Sequence, residues 1–183
     1  MAEYYLISQL PSLDGISENA PIPITEERFL ELCNRFLKKS VYGEVEKLTL
    51  LPPMDFEKST SPLVEGWNQG ERDLRLALGK ARAEKMNKPF DLKNNNLPPQ
   101  LLKVETRAVE IENPLEAENF LLEYRLGFLE TLSPMDNFSE DFVLYYGLKL
   151  KLLLRIREFD KAIGESTYKN IYNSILGGDG LEA

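Results

Sequence analysis

Histidine is missing from this chain altogether, and cysteine occurs once, at Cys33. Without an imidazole there is no histidine general base, no Ser/His/Asp or Cys/His nucleophile system and no histidine-ligated metal. One cysteine closes no disulfide within the chain. Cys33 falls on the apolar stripe of a predicted helix, where a thiol serves as a small core residue. Long apolar runs are equally scarce: no stretch reaches the about 18 uninterrupted apolar residues that a membrane-crossing helix needs. The opening MAEYYLISQLPSL carries no basic leader, and its apolar run stops at Pro11, so the expectation is a cytoplasmic protein that meets a membrane only indirectly. Basic residues are in the minority, 22 Lys and Arg against 30 Asp and Glu, for a formal charge of -8. Binding to nucleic acid draws on concentrated positive charge, so nucleic acid is not an expected partner.

What the 183 residues do contain is helical periodicity. The stretch 139–159, SEDFVLYYGLKLKLLLRIREF, is the longest unbroken helical signal. Phe142, Tyr145, Lys149, Leu152, Ile156, Phe159 and Ile163 recur at three- and four-residue steps on one face. Ser139 suits the N-cap, and Glu140 and Asp141 sit where the helix dipole favours anions. Residues 145–154 are apolar on more than one face, which predicts burial against several neighbours. The fold class read from the chain is all-α, a bundle of about five to seven helices of ordinary length.

Before this helix, residues 4–10 lean towards helix and 14–24 read as a loop. Thr25 caps a helix whose buried stripe is Phe29, Leu32, Cys33, Phe36 and Leu37. Residues 41–50 support a short helix that Pro52 and Pro53 end. Ser61 and Pro62 open a long helix to about residue 86, with Leu63, Trp67, Glu71, Leu74, Leu78 and Ala81 on its seam. Gly66, Gly70 and Gly79 lower its intrinsic propensity by roughly 1 kcal/mol each, so packing must hold it. The segment 87–100, with Asn94 to Asn96 and Pro98-Pro99, is the strongest break. It divides the chain into expected lobes at 1–93 and 94–183, with one continuous domain as the alternative. Asn113 and Pro114 open a further helix carrying Leu115, Asn119, Leu122, Leu126 and Leu129, which Ser133 and Pro134 close. Ser166 caps a short terminal helix in which Tyr168, Ile171, Tyr172 and Ile175 are expected to face inward, with Gly177 and Gly178 at its end.

The two longest helices align without a gap, Trp67, Glu71, Leu74 and Leu78 against Tyr145, Lys149, Leu152 and Ile156. Each seam has an aromatic residue followed by a charge, of opposite sign in the two. A duplicated unit is one reading of this match. A buried Glu71–Lys149 pair between packed helices is a second expectation, against which stands a Lys149 ammonium that reaches water while its stem packs.

No catalytic, metal or cofactor-binding residues stand out. Gly79-Lys80 lacks the spacing of a phosphate-binding loop. Glu116, Glu123 and Glu130 share one helical face, as acids on a solvated face do. The chain is therefore expected to be non-catalytic. Charge is available for docking at Arg72, Arg75, Arg82 and Lys85 on the long helix and at Lys151, Arg155 and Arg157 on the central one, the candidate partner-binding residues.

Four blocks, YYLISQLPSL, EGWNQGERDLRLALGKARAEK, NPLEAENFLLEYRLGFLE and YYGLKLKLLLRIREFDKAIGESTYKNIYNSIL, resemble a bacterial family encoded within V-type ATPase operons. The last block is also similar to a pattern of the V/A-type ATPase C subunit (subunit d), in which a tyrosine precedes a lysine, aliphatics and an arginine. Tyr145 or Tyr146, Lys149, Leu152, Leu153 and Arg155 carry it. C subunits usually have glutamate after that lysine, where this chain has Leu150, and they are close to twice as long. The resemblance implies a C-like subunit or assembly factor that couples the central shaft to the rotor ring, with the shaft and ring subunits as partners. The alternative is a soluble helical adaptor outside the rotor.

Overall fold

Four polar residues placed one step before apolar stripes set the helix starts. Thr25 Oγ1 accepts the Arg28 amide at 3.2 Å, Ser61 Oγ the Val64 amide at 3.4 Å, Asn113 Oδ1 the Leu115 amide at 3.0 Å and Ser139 Oγ the Phe142 amide at 3.2 Å. Each satisfies one of the orphan donors of a first turn. The computed structural model describes residues 2–16, 21–53, 59–91, 97–158, 168–169 and 171–173. Among these there is no strand. The helices are α1 (Ala2–Ile7), α2 (Glu26–Phe36), α3 (Lys39–Glu46), α4 (Pro62–Lys85), α5 (Pro99–Glu110), α6 (Pro114–Thr131) and α7 (Glu140–Glu158), and residues 168–169 and 171–173 are also helical. The chain is an all-α bundle.

The central helix is α7. Every residue from Val143 to Leu150 is buried, as is Leu152, because α2, α3, α4 and α6 all pack on it. Its apolar residues on several faces are what require so many neighbours. Phe29 of α2 stacks on Tyr146 at 5.4 Å between centroids, and the Tyr146 hydroxyl donates to the Pro11 carbonyl at 2.8 Å. Gly147 lets that side close up: a methyl there would stand 2.9 Å from Leu48 and 3.2 Å from the Phe29 ring. Of the seam read from sequence, Phe159 and Ile163 lie outside the described residues.

Helix α4 carries its predicted seam, with Leu63, Trp67, Glu71, Leu74 and Leu78 buried and Ala81 half-buried. It runs antiparallel to α6, since Arg125, Phe128 and, just past the end of α6, Leu132 meet Glu71, Gly70 and Gly66 in reverse order. Helix α5 runs parallel to α4. Lys85, at the end of α4, donates to the Val109 carbonyl in the last turn of α5 at 2.8 Å, and Phe90 of the returning segment reaches back to Gly79. Sequence reading left α5 unassigned, because a glutamate at 105 interrupts its apolar stripe. The Pro98-Pro99 pair, read there as a break, supplies the first helical residue instead.

Two clusters make the core. The larger joins Leu6, Phe29, Leu32, Cys33, Val45, Leu63 and Trp67 to Leu122, Leu129 and the buried run of α7. The smaller joins Leu74, Ala77 and Leu78 to Leu101, Ala108 and Leu121. Both draw on residues either side of position 93, with α4 contributing to each. Cys33 is fully buried, as its stripe predicts, and burial pushes its thiol up to about 12.

The terminal helix corrects an expectation. Tyr168, Ile171 and Tyr172 are exposed, and Tyr168 and Tyr172 stack on each other at 6.0 Å. Periodicity places them on one face, but an aromatic pair one turn apart covers itself without an interior to enter. Ser166, Ile175, Gly177 and Gly178 lie outside the described residues.

The glycines of α4 allow a different check. A methyl at Gly70 would enter the van der Waals envelope of the Phe128 ring, whereas Gly127 of α6 has nothing within 4 Å. Gly70→Ala should therefore lower stability by about 1–3 kcal/mol through overpacking, against its favourable helix propensity. Gly127→Ala should raise stability by up to about 1 kcal/mol. Thermal unfolding followed by circular dichroism reads both, and equal stabilisation by the two would contradict the close α4–α6 approach.

Candidate functional site

The charged residues on the two seams are held by different partners. Glu71, 2% exposed, accepts from Arg125 Nε at 2.6 Å and lies 3.5 Å from Arg75 Nε. Arg125 comes from α6 and also stands 4.0 Å from Glu118. Tyr124 beside it has its hydroxyl pushed up by burial and by the charges of Glu71 and Asp73. Lys149 instead donates to Asp14 Oδ1 at 2.5 Å, lies 3.9 Å from Glu130 and stands 5.8 Å from the Tyr145 ring centre. Burial pushes the Lys149 ammonium down, but the Asp14 hydrogen bond and Tyr145 outweigh it, so its pKa lies above the ordinary value.

The expected Glu71–Lys149 pair is corrected accordingly. Helices α4 and α7 do touch, yet each charge finds a counter-charge elsewhere. The physical reason is exposure: Asp14 is 81% exposed, so Lys149 reaches the rim of the core and water, while the deeply buried Glu71 needs a guanidinium that can be buried with it. The Asp14 carboxyl is held below its usual range by the Lys149 hydrogen bond.

Most of the candidate docking residues are engaged internally. Arg72 lies 3.8 Å from Glu65, Arg75 sits on Glu71, Lys85 holds the end of α5, Lys151 bonds Glu26 and Arg155 pairs with Glu158 at 2.8 Å. Arg157 is half-buried. Arg82 is exposed on the last turn of α4. Arg72 and Arg75 pair with acids of α4 itself, Lys85 ties α4 to α5, and Lys151 ties α7 to α2.

Two of the cavities lined by described residues lie beside charged groups. One, of about 460 Å³, is where the N-termini of α3, α4 and α7 meet, lined by Ser40, Glu44, Ser61, Ser139 and Asp141 among others. Three helix N-termini favour negative charge, and the chain supplies it: Ser61 Oγ donates to Asp141 at 2.6 Å, Thr60 to Glu44, and Lys38 meets Glu140 at 3.3 Å. The second, of about 380 Å³, lies between α4 and α5 and is lined by Ala81, Glu84, Lys85, Glu105, Thr106, Val109 and Glu110. Glu105 is 5% exposed, and its Oε2 has no hydrogen-bond partner among the described residues. Burial raises its pKa, with Lys80 opposing and Glu84 adding. The folded state thus holds this proton more tightly than the unfolded chain. That contribution to stability is full below the ordinary carboxylate range and is lost as pH rises through the raised value.

No family model, curated protein or solved structure matches this chain. Among the described residues no three of His, Cys, Asp and Glu are grouped to hold a metal ion, and no helix is long and apolar enough to cross a membrane. One group of exposed aromatic residues joins distant parts of the chain. Tyr4 stacks on Phe138 at 4.9 Å and meets Tyr5 edge-on at 6.3 Å, and Met135, close by in the chain, is fully exposed. Sequence reading passed over this aromatic group, since its members are separated by most of the chain. It also passed over Arg125, Asp14 and Glu105; for Arg125 the signal was present, as a cation set among the leucines of an apolar helix.

The pairing is testable by double-mutant cycles. Arg125→Ala should cost about 3–5 kcal/mol because it strands a buried carboxylate, and Glu71→Gln in the same chain should recover much of that. A Glu71→Gln, Lys149→Met cycle should be additive within about 0.5 kcal/mol. Denaturant unfolding measures both. Stronger coupling to Lys149 than to Arg125 would contradict the assignment.

Proposed function

We propose that this chain is a non-catalytic, C-like subunit or assembly factor of a bacterial V-type ATPase, acting at the inner face of the membrane between the central shaft and the rotor ring. The observation that carries the proposal is the position of the residues that resemble the C-subunit pattern. Tyr145, Lys149, Leu152, Leu153 and Arg155 all fall on α7, the helix clasped by four others. A part that transmits torque must deform little under load, and close packing of a central helix on all sides provides stiffness. The exposed aromatics Tyr4, Tyr5 and Phe138 supply surface of the kind that buried interface anchors use.

A soluble helical adaptor outside the rotor is the second reading. The internal engagement of Arg75, Lys85 and Lys151 favours it, because it leaves less free positive charge with which to grip acidic subunits. Purification of the protein from its own cells without crosslinking separates the two. The expected result is recovery of shaft and rotor-ring subunits in near-equal amounts with it. Their absence from an otherwise assembled ATPase preparation would overturn the coupler reading, and substoichiometric recovery would favour the adaptor.

A further inference from the structure

We propose that the Asp14–Gly15 step is a modification site, where this chain forms isoaspartate, and that the Lys149 ammonium holds the reaction back. The proposal is independent of any ATPase role. In the reaction the Gly15 amide nitrogen attacks Asp14 Cγ. An N–C bond forms, a C–O bond breaks, and water leaves with the amide proton and the carboxyl proton, which closes a five-membered succinimide. Water then adds back, and where it opens the ring at the backbone carbonyl the chain runs on through Cγ. The two steps need no oxidant or co-reactant and leave the mass unchanged.

The segment favours ring closure in its shape. Asp14 is 81% exposed, so water reaches it. Gly15 has no side chain to crowd the attacking nitrogen, and a methyl there would meet nothing within 4 Å, so the ring has room. Its φ of 65° is open to glycine, and the same freedom lets the following chain adjust as the ring closes. Against this stands the hold on the carboxylate. Lys149 donates to Oδ1 at 2.5 Å, and Ser12 Oγ lies 3.5 Å from Oδ2 while accepting the Asp14 amide at 3.1 Å. The carboxylate is thereby fixed towards α7 and kept ionised, whereas ring closure draws on the neutral acid, whose oxygen departs as water. Lys149 is itself held in place, 9% exposed, with Glu130 at 3.9 Å and the Tyr145 ring centre at 5.8 Å. Isomerisation lengthens the backbone by one atom and shortens the carboxylate arm, so Lys149 loses its partner. A polar tie between the N-terminal segment and α7, beside the Tyr146–Pro11 bond, is undone with it.

The test is incubation of the folded chain at neutral pH, followed by trypsin digestion and a count of isoaspartate by enzymatic carboxyl methylation and electron-transfer fragmentation. The peptide from Met1 to Arg28 contains Asp14 as its only aspartate, and Asn19 there gives isoaspartate only with the mass gain of deamidation. The chain's other Asp-Gly step, Asp179-Gly180, lies outside the described residues and falls in a different tryptic peptide. A synthetic peptide of residues 11–17 supplies the unguarded rate. Isoaspartate should form at Asp14 in the parent more slowly than in that peptide. Lys149→Met should raise the rate at Asp14 about two- to fivefold, the factor of one ion pair open to water on one side, and leave Asp179 unchanged. Lys149→Arg, which keeps the charge, should stay slower than Lys149→Met. No isoaspartate at Asp14, a parent rate equal to that of the peptide, or equal rates in Lys149→Met and the parent would overturn the proposal. The comparison with the peptide needs no variant, so it decides the matter even if Lys149→Met does not fold.

Discussion

The structure depends on the burial of α7 from all sides. Eight consecutive buried residues, Val143 to Leu150, leave that helix no solvent face over two turns, so α2, α3, α4 and α6 must each supply a surface shaped to it. Much of the sequence answers this requirement. Gly147 removes a side chain where Phe29 and Leu48 press in, and Tyr146 turns its hydroxyl to the Pro11 carbonyl so that no polar group is stranded. Lys149 is the exception in chemistry but not in kind: its stem packs on the seam, and its ammonium emerges between Asp14 and Glu130.

Polar groups elsewhere follow the same economy. Glu71 is admitted to the interior because Arg125 and Arg75 reach it, and the arginines do so from α6 and from one turn along α4. Three convergent helix N-termini are met by the chain's own carboxylates. Glu65 Oε2, Trp67 Nε1 and Glu105 Oε2 depart from this pattern, buried without a hydrogen-bond partner among the described residues.

The fold was largely legible because its signals are local. Caps at Thr25, Ser61, Asn113 and Ser139 depend on a few neighbouring residues, and the seams of α4 and α7 are written at helical spacing in single segments. Features set by distant segments were not legible. Asp14 meets Lys149 across most of the chain, and Glu71 finds Arg125 only once α4 and α6 lie antiparallel. Helix α5 was hidden by Glu105, which breaks the apolar stripe that would have announced it. The outward face of Tyr168 and Tyr172 shows the complementary limit: periodicity assigns residues to a common face but not that face to the interior.

Native-state hydrogen exchange, followed residue by residue, addresses the primacy of α7 directly. If that helix anchors the bundle, amides from Val143 to Leu152 exchange only through global unfolding, together and at the slowest rate in the chain. Exchange of those amides through a smaller opening, while α4 and α6 stay protected, would show that the bundle holds without α7 and would contradict the account.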